Sequence, residues 1–249
     1  MQDRTSPETI QAMFNTIAPT YDKLNHLLSF GLDIRWRRKA IRLMVKKRGG
    51  MFLDIAAGSG DVSFDLLKLH PQRIVGTDFA LNMLSVFQQK LSRYDHSCPI
   101  EIVSCDAHSL PFLDQTFDGT IVAFGIRNFA DRLRALKEMF RVLKPQGLAV
   151  ILELSKPTAP IVKQLYTVYA RFGLPLLGKI ISKHNSAYQY LPESIVQFPV
   201  QSEFLSLMNV AGFSEIKALP LSFGAATIYV GRKSGSGPTL VETPTTSGK

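Results

Sequence analysis

The stretch Leu53-Asp54-Ile55-Ala56-Ala57-Gly58-Ser59-Gly60-Asp61 decides the fold. Residues 51–56 form an apolar run that reads as a buried strand, and residues 61–69 carry a helical pattern. A strand that turns through glycines into a helix is the first half of a βαβ unit. Glycine permits positive φ and lets a ligand approach the backbone closely. The helix start beyond it offers unpaired N–H groups. A dinucleotide site needs Gly-x-Gly-x-x-Gly. Counted from Gly58 and Gly60, the third position is Ser63, so that fingerprint fails. What remains, Asp54-x-Ala56-x-Gly58-x-Gly60, sets an acid beside the loop. That arrangement suits a cofactor carrying an ammonium rather than a pyrophosphate, and it also reads as an ordinary βα turn.

Outward from this loop the alternation continues. Residues 73–77, 100–104, 117–123 and 148–154 read as strands. Residues 81–92 and 132–143 read as helices, the second with Leu133, Leu136, Met139 and Phe140 on one face. Lys144-Pro145-Gln146-Gly147 ends that helix. The expected fold is α/β: a Rossmann-like, doubly wound, mostly parallel seven-stranded sheet. A helix at 201–210 precedes two closing strands, 215–220 and 227–231, which pair as a hairpin and add an antiparallel last strand. Residues 158–181 read as an apolar helical insertion broken near Gly173 and Pro175.

The chain divides accordingly into a helical N-terminal cover (1–48), the sheet domain (49–232) and a disordered tail (233–249). The cover is interrupted by Pro19 and Gly31 and ends at Gly49-Gly50. In the tail, twelve of 17 residues are Gly, Ser, Thr or Pro, too few apolar groups to fold.

Composition narrows the class. With 249 residues, 45% hydrophobic and 20% charged, the chain is ordinary globular protein. Two cysteines, Cys98 and Cys105, exclude a disulfide scaffold, and no metal-ligand set is read. The first residues lack an apolar signal core, and no run reaches the roughly 18 apolar residues of a spanning helix. A reducing cytoplasm is the expectation. The formal charge of +9 favours an anionic partner or serves solubility alone. Residues 33–48 hold eight cations against the single acid Asp33.

Three acids end three successive strands, where such sheets bind ligands. Asp54 ends the first. Asp78 ends the second and suits a pair of ribose hydroxyls, or caps the helix starting near Phe79. Asp106-Ala107 follows the third and suits an adenine, through a side-chain acceptor and a backbone donor.

With the Arg141-Val142-Leu143-Lys144-Pro145-Gln146-Gly147 turn, these residues resemble the class I S-adenosylmethionine-dependent methyltransferases. Tyr21-Asp22-Lys23-Leu24-Asn25-His26-Leu27-Leu28-Ser29-Phe30-Gly31 with Trp36 is similar to the signature of the demethylmenaquinone and ubiquinone biosynthesis C-methyltransferases. So are Phe124-Gly125-Ile126-Arg127-Asn128 and Leu152-Glu153-Leu154-Ser155-Lys156-Pro157. The resemblance spans about residues 10–232. It implies S-adenosylmethionine contacts at Ser63, Asp78, Asp106 and Ala107, beside the Gly58/Gly60 loop. Ala57 stands where the family usually has Gly, and Ala123 where many members have a Ser facing the cofactor.

The implied reaction methylates a ring carbon of a polyprenylated quinol, with demethylmenaquinol first and the benzoquinol precursor of ubiquinone as the alternative. Deprotonating a phenol makes the ortho carbon nucleophilic, and a cation that stabilises the phenolate assists. Arg127 and Asn128 are expected to hold the quinol oxygen. Asp22 and His26 are candidate bases, His26 also reading as a structural histidine. Tyr21 and Phe14 are candidate lid residues. For a bilayer-borne substrate, the basic segment with Ile34, Trp36, Ile41, Met44 and Val45 reads as a peripheral contact with an anionic membrane, or as a helix packed on the domain by those same residues. The sequence holds no nucleic-acid module, and it leaves the oligomeric state open. A non-catalytic cofactor- or lipid-binding relative is the rival reading.

Overall fold

In the structure, a computed structural model, residues 6–94, 99–156 and 185–235 are described. β1 (Met51–Ile55), β2 (Arg73–Asp78), β3 (Ile100–Ser104), β4 (Phe117–Ala123) and β5 (Leu143–Leu154) run parallel. β7 (Ala226–Arg232) lies antiparallel between β5 and β6 (Ser214–Leu221), which gives the order β3-β2-β1-β4-β5-β7-β6. The order reverses between β1 and β4, and there the carboxyl ends of the strands open a crevice.

The central strands β1, β2 and β4 are buried almost throughout because both faces are covered, whereas the edge strands β3 and β6 are partly exposed. Successive side chains of β1 part to opposite layers. Phe52 joins Trp36, Ile41, Met44, Leu66 and Phe87 on one face. Leu53 joins Leu136, Met139, Val142, Phe204 and Met208 on the other. The first layer is built by α3 (Leu32–Leu43), α4 (Asp61–Leu66) and α5 (Leu81–Leu91), the second by α6 (Arg132–Val142) and α8 (Gln201–Val210). α7 (Asn185–Gln197) precedes α8.

α1 (Pro7–Ile17) is capped by Ser6, whose Oγ accepts the Thr9 N–H at 3.3 Å, and α2 (Tyr21–Leu28) follows it. Gly31, at φ 72°, turns the chain into α3. Asp33, Trp36, Ala40 and Ile41 of α3 are buried, with Arg35, Arg38, Lys39 and Arg42 exposed on the opposite face. Trp36, Ile41 and Met44 therefore do not form a membrane-facing apolar side. The sheet needs their cover, and the packed-helix reading holds for them.

Two boundaries differ from the sequence expectation. The Lys144–Gly147 turn falls within β5, where the register with β4 jumps from Phe117↔Leu143 to Gly119↔Leu148. The tail does not begin at Lys233, whose N–H donates to the Gly147 carbonyl at 3.0 Å and whose carbonyl accepts the Gln146 N–H at 2.8 Å. Ser234 still bonds Ser214. The insertion expected at 158–181, Cys98 and the rest of the tail lie outside the described residues. Cys105 is a free, half-buried thiol that burial pushes up to about 11.

Candidate active site

A cavity of about 310 Å³ opens at the carboxyl ends of β1 to β4. That is near the lower end of ligand pockets, roughly 300–1,000 Å³. Gly58, Asp78, Asp106, Ala107, Ala123 and Asn128, all read from the sequence, line it, and Phe14 and Tyr21 reach it from the N-terminal helices. The loops that shape it meet closely. A Cβ on Gly125 would stand 2.7 Å from the Ala56 Cβ, and one on Gly60 would stand 2.2 Å from the Phe87 ring. Gly60 also holds φ at 88°, which glycine adopts without strain.

Asp78 lines the cavity but does not cap α5, whose N-cap residue is Ala80 with no side-chain cap. Oδ2 accepts the Gly58 N–H and Oδ1 the Ala80 N–H, each at 2.9 Å, so the carboxylate ties the β1 loop to the turn before α5. Burial raises its pKa against the pull of those backbone donors. Asp106 is held by His108. Its Oδ1 accepts the His108 N–H at 2.9 Å and lies 2.5 Å from Nδ1. The Asp131 N–H points at His108 Nε2, 3.2 Å away, so the bonding pattern puts the ring proton on Nδ1. Partial burial pushes the Asp106 carboxyl up, but the His108 bonds outweigh it and hold the carboxyl low.

Asp54, Gly60 and Ser63 stand behind this wall rather than in it. Ser63 Oγ donates to Asp54 Oδ2 at 2.7 Å, so its hydroxyl serves the acid and does not point to the cavity. Asp54 is 1% exposed, and its Oδ1 has no partner among the described residues. Burial pushes its pKa up to about 7.

A second cavity, about 220 Å³, shares Tyr21 and Phe124 with the first. Leu28, Phe30, Leu32, Trp36, Leu154 and Ile195 make it apolar, and Arg127 opens onto it. Arg127 Nη1 lies 2.9 Å from Glu153 Oε1, and its backbone N–H donates to Oε2 at 3.0 Å. Nη1 also donates to the Phe124 carbonyl, and Nε to Ser194 Oγ at 3.3 Å. Burial alone would lower the Arg127 pKa, but Glu153 overcomes it and fixes the charge. Asn128 Oδ1 accepts the Tyr190 hydroxyl at 2.9 Å, and its amide NH₂ has no acceptor among the described residues. Phe124, between the cavities, holds φ at 60°, a strained state that clusters at functional sites.

Asp22 and His26 line neither cavity. Asp22 and the Nδ1 of His26 bond residues of the cover and of the β1 loop, while His26 Nε2 stands 3.9 Å from Asp61. Asp22 accepts from the Ser59 hydroxyl and pairs with Lys90 at 2.6 Å. His26 Nδ1 meets Asp33 at 2.8 Å. Lys90 and Arg37 both reach Asp61, at 2.7 and 3.0 Å, and outweigh the burial that would raise its pKa. The structure thus puts these two residues in a network joining the cover to the β1 loop.

Glu153, Tyr190 and Ser194 carried no role in the sequence reading. Glu153 left one signal, an acid inside the apolar run Ile151-Leu152-Glu153-Leu154, since a buried charge demands a partner.

The model of the ubiE/COQ5 methyltransferase family matches residues 1–233. The ubiquinone/menaquinone biosynthesis C-methyltransferase UbiE of Geobacter sulfurreducens is 46% identical over 230 residues, covering 91% of this chain and 89% of that protein. The demethylmenaquinone methyltransferase of Bacteroides fragilis is 42% identical over 234 residues, covering 93% and 95%. Among solved structures, an S-adenosylmethionine-dependent methyltransferase from Aquifex aeolicus superposes with a TM-score of 0.57 at 16% identity, covering 79% of this chain and 88% of that one. The [4+2]-cyclase SpnF superposes at 0.69 with 14% identity, covering 93% and 97%. These two likenesses show the fold alone, which hosts reactions as different as methyl transfer and cyclisation.

Proposed function

The chain belongs to the ubiE/COQ5 methyltransferase family, and from that premise we propose that it methylates a ring carbon of a polyprenylated quinol. Demethylmenaquinol is the first substrate to test and the 2-methoxy-6-polyprenyl-1,4-benzoquinol precursor of ubiquinone the second. The observation that carries this reading is the pair of cavities sharing Tyr21 and Phe124, one edged by strand-end acids, the other apolar with a cation on its wall.

The first cavity fits S-adenosylmethionine. Gly58 offers close backbone approach, Asp78 suits the ribose, and Asp106 with Ala107 suits the adenine. When bound, this cofactor supplies a methyl group on a sulfonium, a good leaving group. The protein's part is to hold ring carbon and methyl in line and to exclude water. The NH₂ of Asn128 donates to a quinol oxygen. Arg127, locked as a cation by Glu153, stabilises negative charge on that oxygen as the phenol, normally near 10, passes its proton to a water molecule. Arginine held this way is an electrostatic partner and not a base. After methyl transfer the ring hydrogen leaves as a proton and restores aromaticity.

A substrate with a polyprenyl tail implies work at a bilayer surface. Among the described residues no helix is long and apolar enough to cross a membrane, so peripheral contact is the mode proposed. In this reading residues 1–48 act as the cover and 49–232 as the catalytic domain.

The test is turnover by mass spectrometry, with S-adenosylmethionine and each reduced quinol in separate detergent assays. A gain of one methyl on one ring establishes the activity and names the pathway. Cofactor binding without a gain on either ring would support the non-catalytic relative instead.

A further inference from the structure

α7 touches both halves of the site through two neighbouring stripes. Leu191 and Ile195 line the apolar cavity. One position back along the helix, Tyr190 and Ser194 form the adjoining stripe, at the spacing that puts two side chains on one face. Each of them holds one member of the pair that follows β4. The Tyr190 hydroxyl donates to Asn128 Oδ1 at 2.9 Å, and Ser194 Oγ accepts from Arg127 Nε at 3.3 Å. Ser194 is 2% exposed and gives its own proton to the Leu191 carbonyl at 2.9 Å, which leaves its lone pairs for the guanidinium. Ser194 thus pins α7 in register with Arg127, and Tyr190 comes to Asn128 as a consequence.

The two contacts do different work. Arg127 is buried, so its Nε needs a partner inside the protein. Asn128 is half-buried and lines an open cavity, where water would satisfy its amide without any tyrosine. What the tyrosine adds is direction. A carboxamide is nearly symmetric in shape, and a half-turn exchanges its oxygen acceptor for its NH₂ donor. An oxygen turned toward a phenolate repels it, and an NH₂ stabilises it. A hydroxyl that donates accepts only one of these orientations, because Oδ1 must face it. Tyr190 stays a donor, since burial raises its pKa over the opposite pull of the Arg127 and Arg132 cations. Arg132 completes the cluster by donating from Nη2 to the Arg127 carbonyl at 2.7 Å, which holds the backbone of the same turn.

We propose that Tyr190 is a positioning residue for methyl transfer, whose hydroxyl fixes the Asn128 amide with its NH₂ toward the quinol oxygen. This rests on the quinol reading for the reaction it serves. The orientation of the amide is measurable without a quinol.

The experiment compares wild type, Tyr190→Phe, Asn128→Ala and the double variant, all as the full chain. In protein labelled with ¹⁵N-asparagine, the side-chain NH₂ signals of Asn128 are those that Asn128→Ala removes. Tyr190→Phe keeps the ring and its packing, so it should shift or broaden that pair and leave the other asparagine signals in place. With the quinol that the wild type methylates, kcat should fall about 10–100-fold, the worth of one hydrogen bond to a developing charge, with a smaller change in KM. The pH at which kcat rises should move upward, because a less stabilised phenolate forms later. In the Asn128→Ala background, Tyr190→Phe should cost less than about 2-fold more, since the tyrosine acts through the amide. An unmoved Asn128 signal, or a cost as large in Asn128→Ala as in the wild type, overturns the proposal and leaves Tyr190 as packing for α7. Absence of methylation of either quinol by the wild type would instead strike the quinol reading, and the Asn128 signal would still decide whether Tyr190 orients the amide.

Discussion

Arg127 and Glu153 form a buried ion pair, with Nη1 2.9 Å from Oε1 and the Glu153 side chain 0% exposed. Removing two charges from water costs as much as their attraction returns, so such a pair is a weak source of stability. Loss of one partner is different, because it strands the other charge. Glu153→Leu is expected to destabilise the fold by about 3–5 kcal/mol. The double variant Arg127→Leu/Glu153→Leu should recover most of that loss in a denaturant titration. Its turnover should nevertheless stay at least about 100-fold down, because the phenolate has lost its cation. Recovery of both stability and turnover would reduce the pair to packing.

Asp78 links the cofactor loop to α5 through the Gly58 and Ala80 N–H groups. Asp78→Asn keeps the shape but presents one acceptor where two are used. Cofactor affinity measured by calorimetry is expected to fall about 10–100-fold, two hydrogen bonds' worth. Stability in a denaturant titration should drop only by about one hydrogen bond, about 1 kcal/mol. Unchanged affinity would leave Asp78 as a structural tie alone.

Much of the fold was legible because it rests on periodicity. The apolar strands, the helical stripe of Leu136 and Met139 and the hairpin at Ser222–Gly224 are local patterns. The site was legible where one strand end carries one residue, as at Asp78 and Asp106. It was not legible where a residue's role depends on which partner the fold brings to it. Ser63 looks like a loop contact until Asp54 claims its hydroxyl. His26 reads as a lone imidazole until the fold sets Asp33 against its Nδ1. Tyr190 meets Asn128 only after α7 folds back, 62 residues later. The side of α3 that faces the sheet is decided by what the sheet must cover, which amphipathicity alone does not state.

Asp54 makes stability depend on pH. Its carboxyl is pushed from 3.8 up to about 7 by burial. Between those values the folded chain holds a proton that the unfolded chain releases, so stability falls as pH rises through that window. The contribution is fully present below about pH 4 and is lost above about pH 7, a difference of a few kcal/mol. Denaturant titrations of the cofactor-free protein should therefore show stability declining from pH 5 to pH 8. Asp54→Asn should flatten that slope and be the more stable of the two at pH 8. A wild-type slope retained in the variant would assign the titration to another group.

Lys90 and Asp22 join α5 to the N-terminal cover at 2.6 Å, and Lys90 also reaches Asp61 at 2.7 Å. Asp22 follows Tyr21, whose ring lines both cavities, so this latch sits one residue from the wall between cofactor and quinol. The pairs are about a quarter exposed, and screening limits each to about 1 kcal/mol or less. Lys90→Met would remove the cation that bridges Asp22 and Asp61, leaving Asp61 to Arg37 and Asp22 to the Ser59 hydroxyl, so the attraction that closes the latch is lost. The fold should lose little, since the cover is also held by Trp36, Ile41 and Met44 in the core. The cover should open more often. Stopped-flow measurement is expected to show cofactor dissociating about 3–10-fold faster in Lys90→Met at low salt. Raising the salt should speed dissociation from the wild type and change the variant less. Asp22→Asn should reproduce much of the effect, and the two changes together should add less than their sum because they break one contact. Additive effects, or an unchanged dissociation rate, would mean that the cover is held shut by packing and that the network serves only to neutralise the acids around the β1 loop.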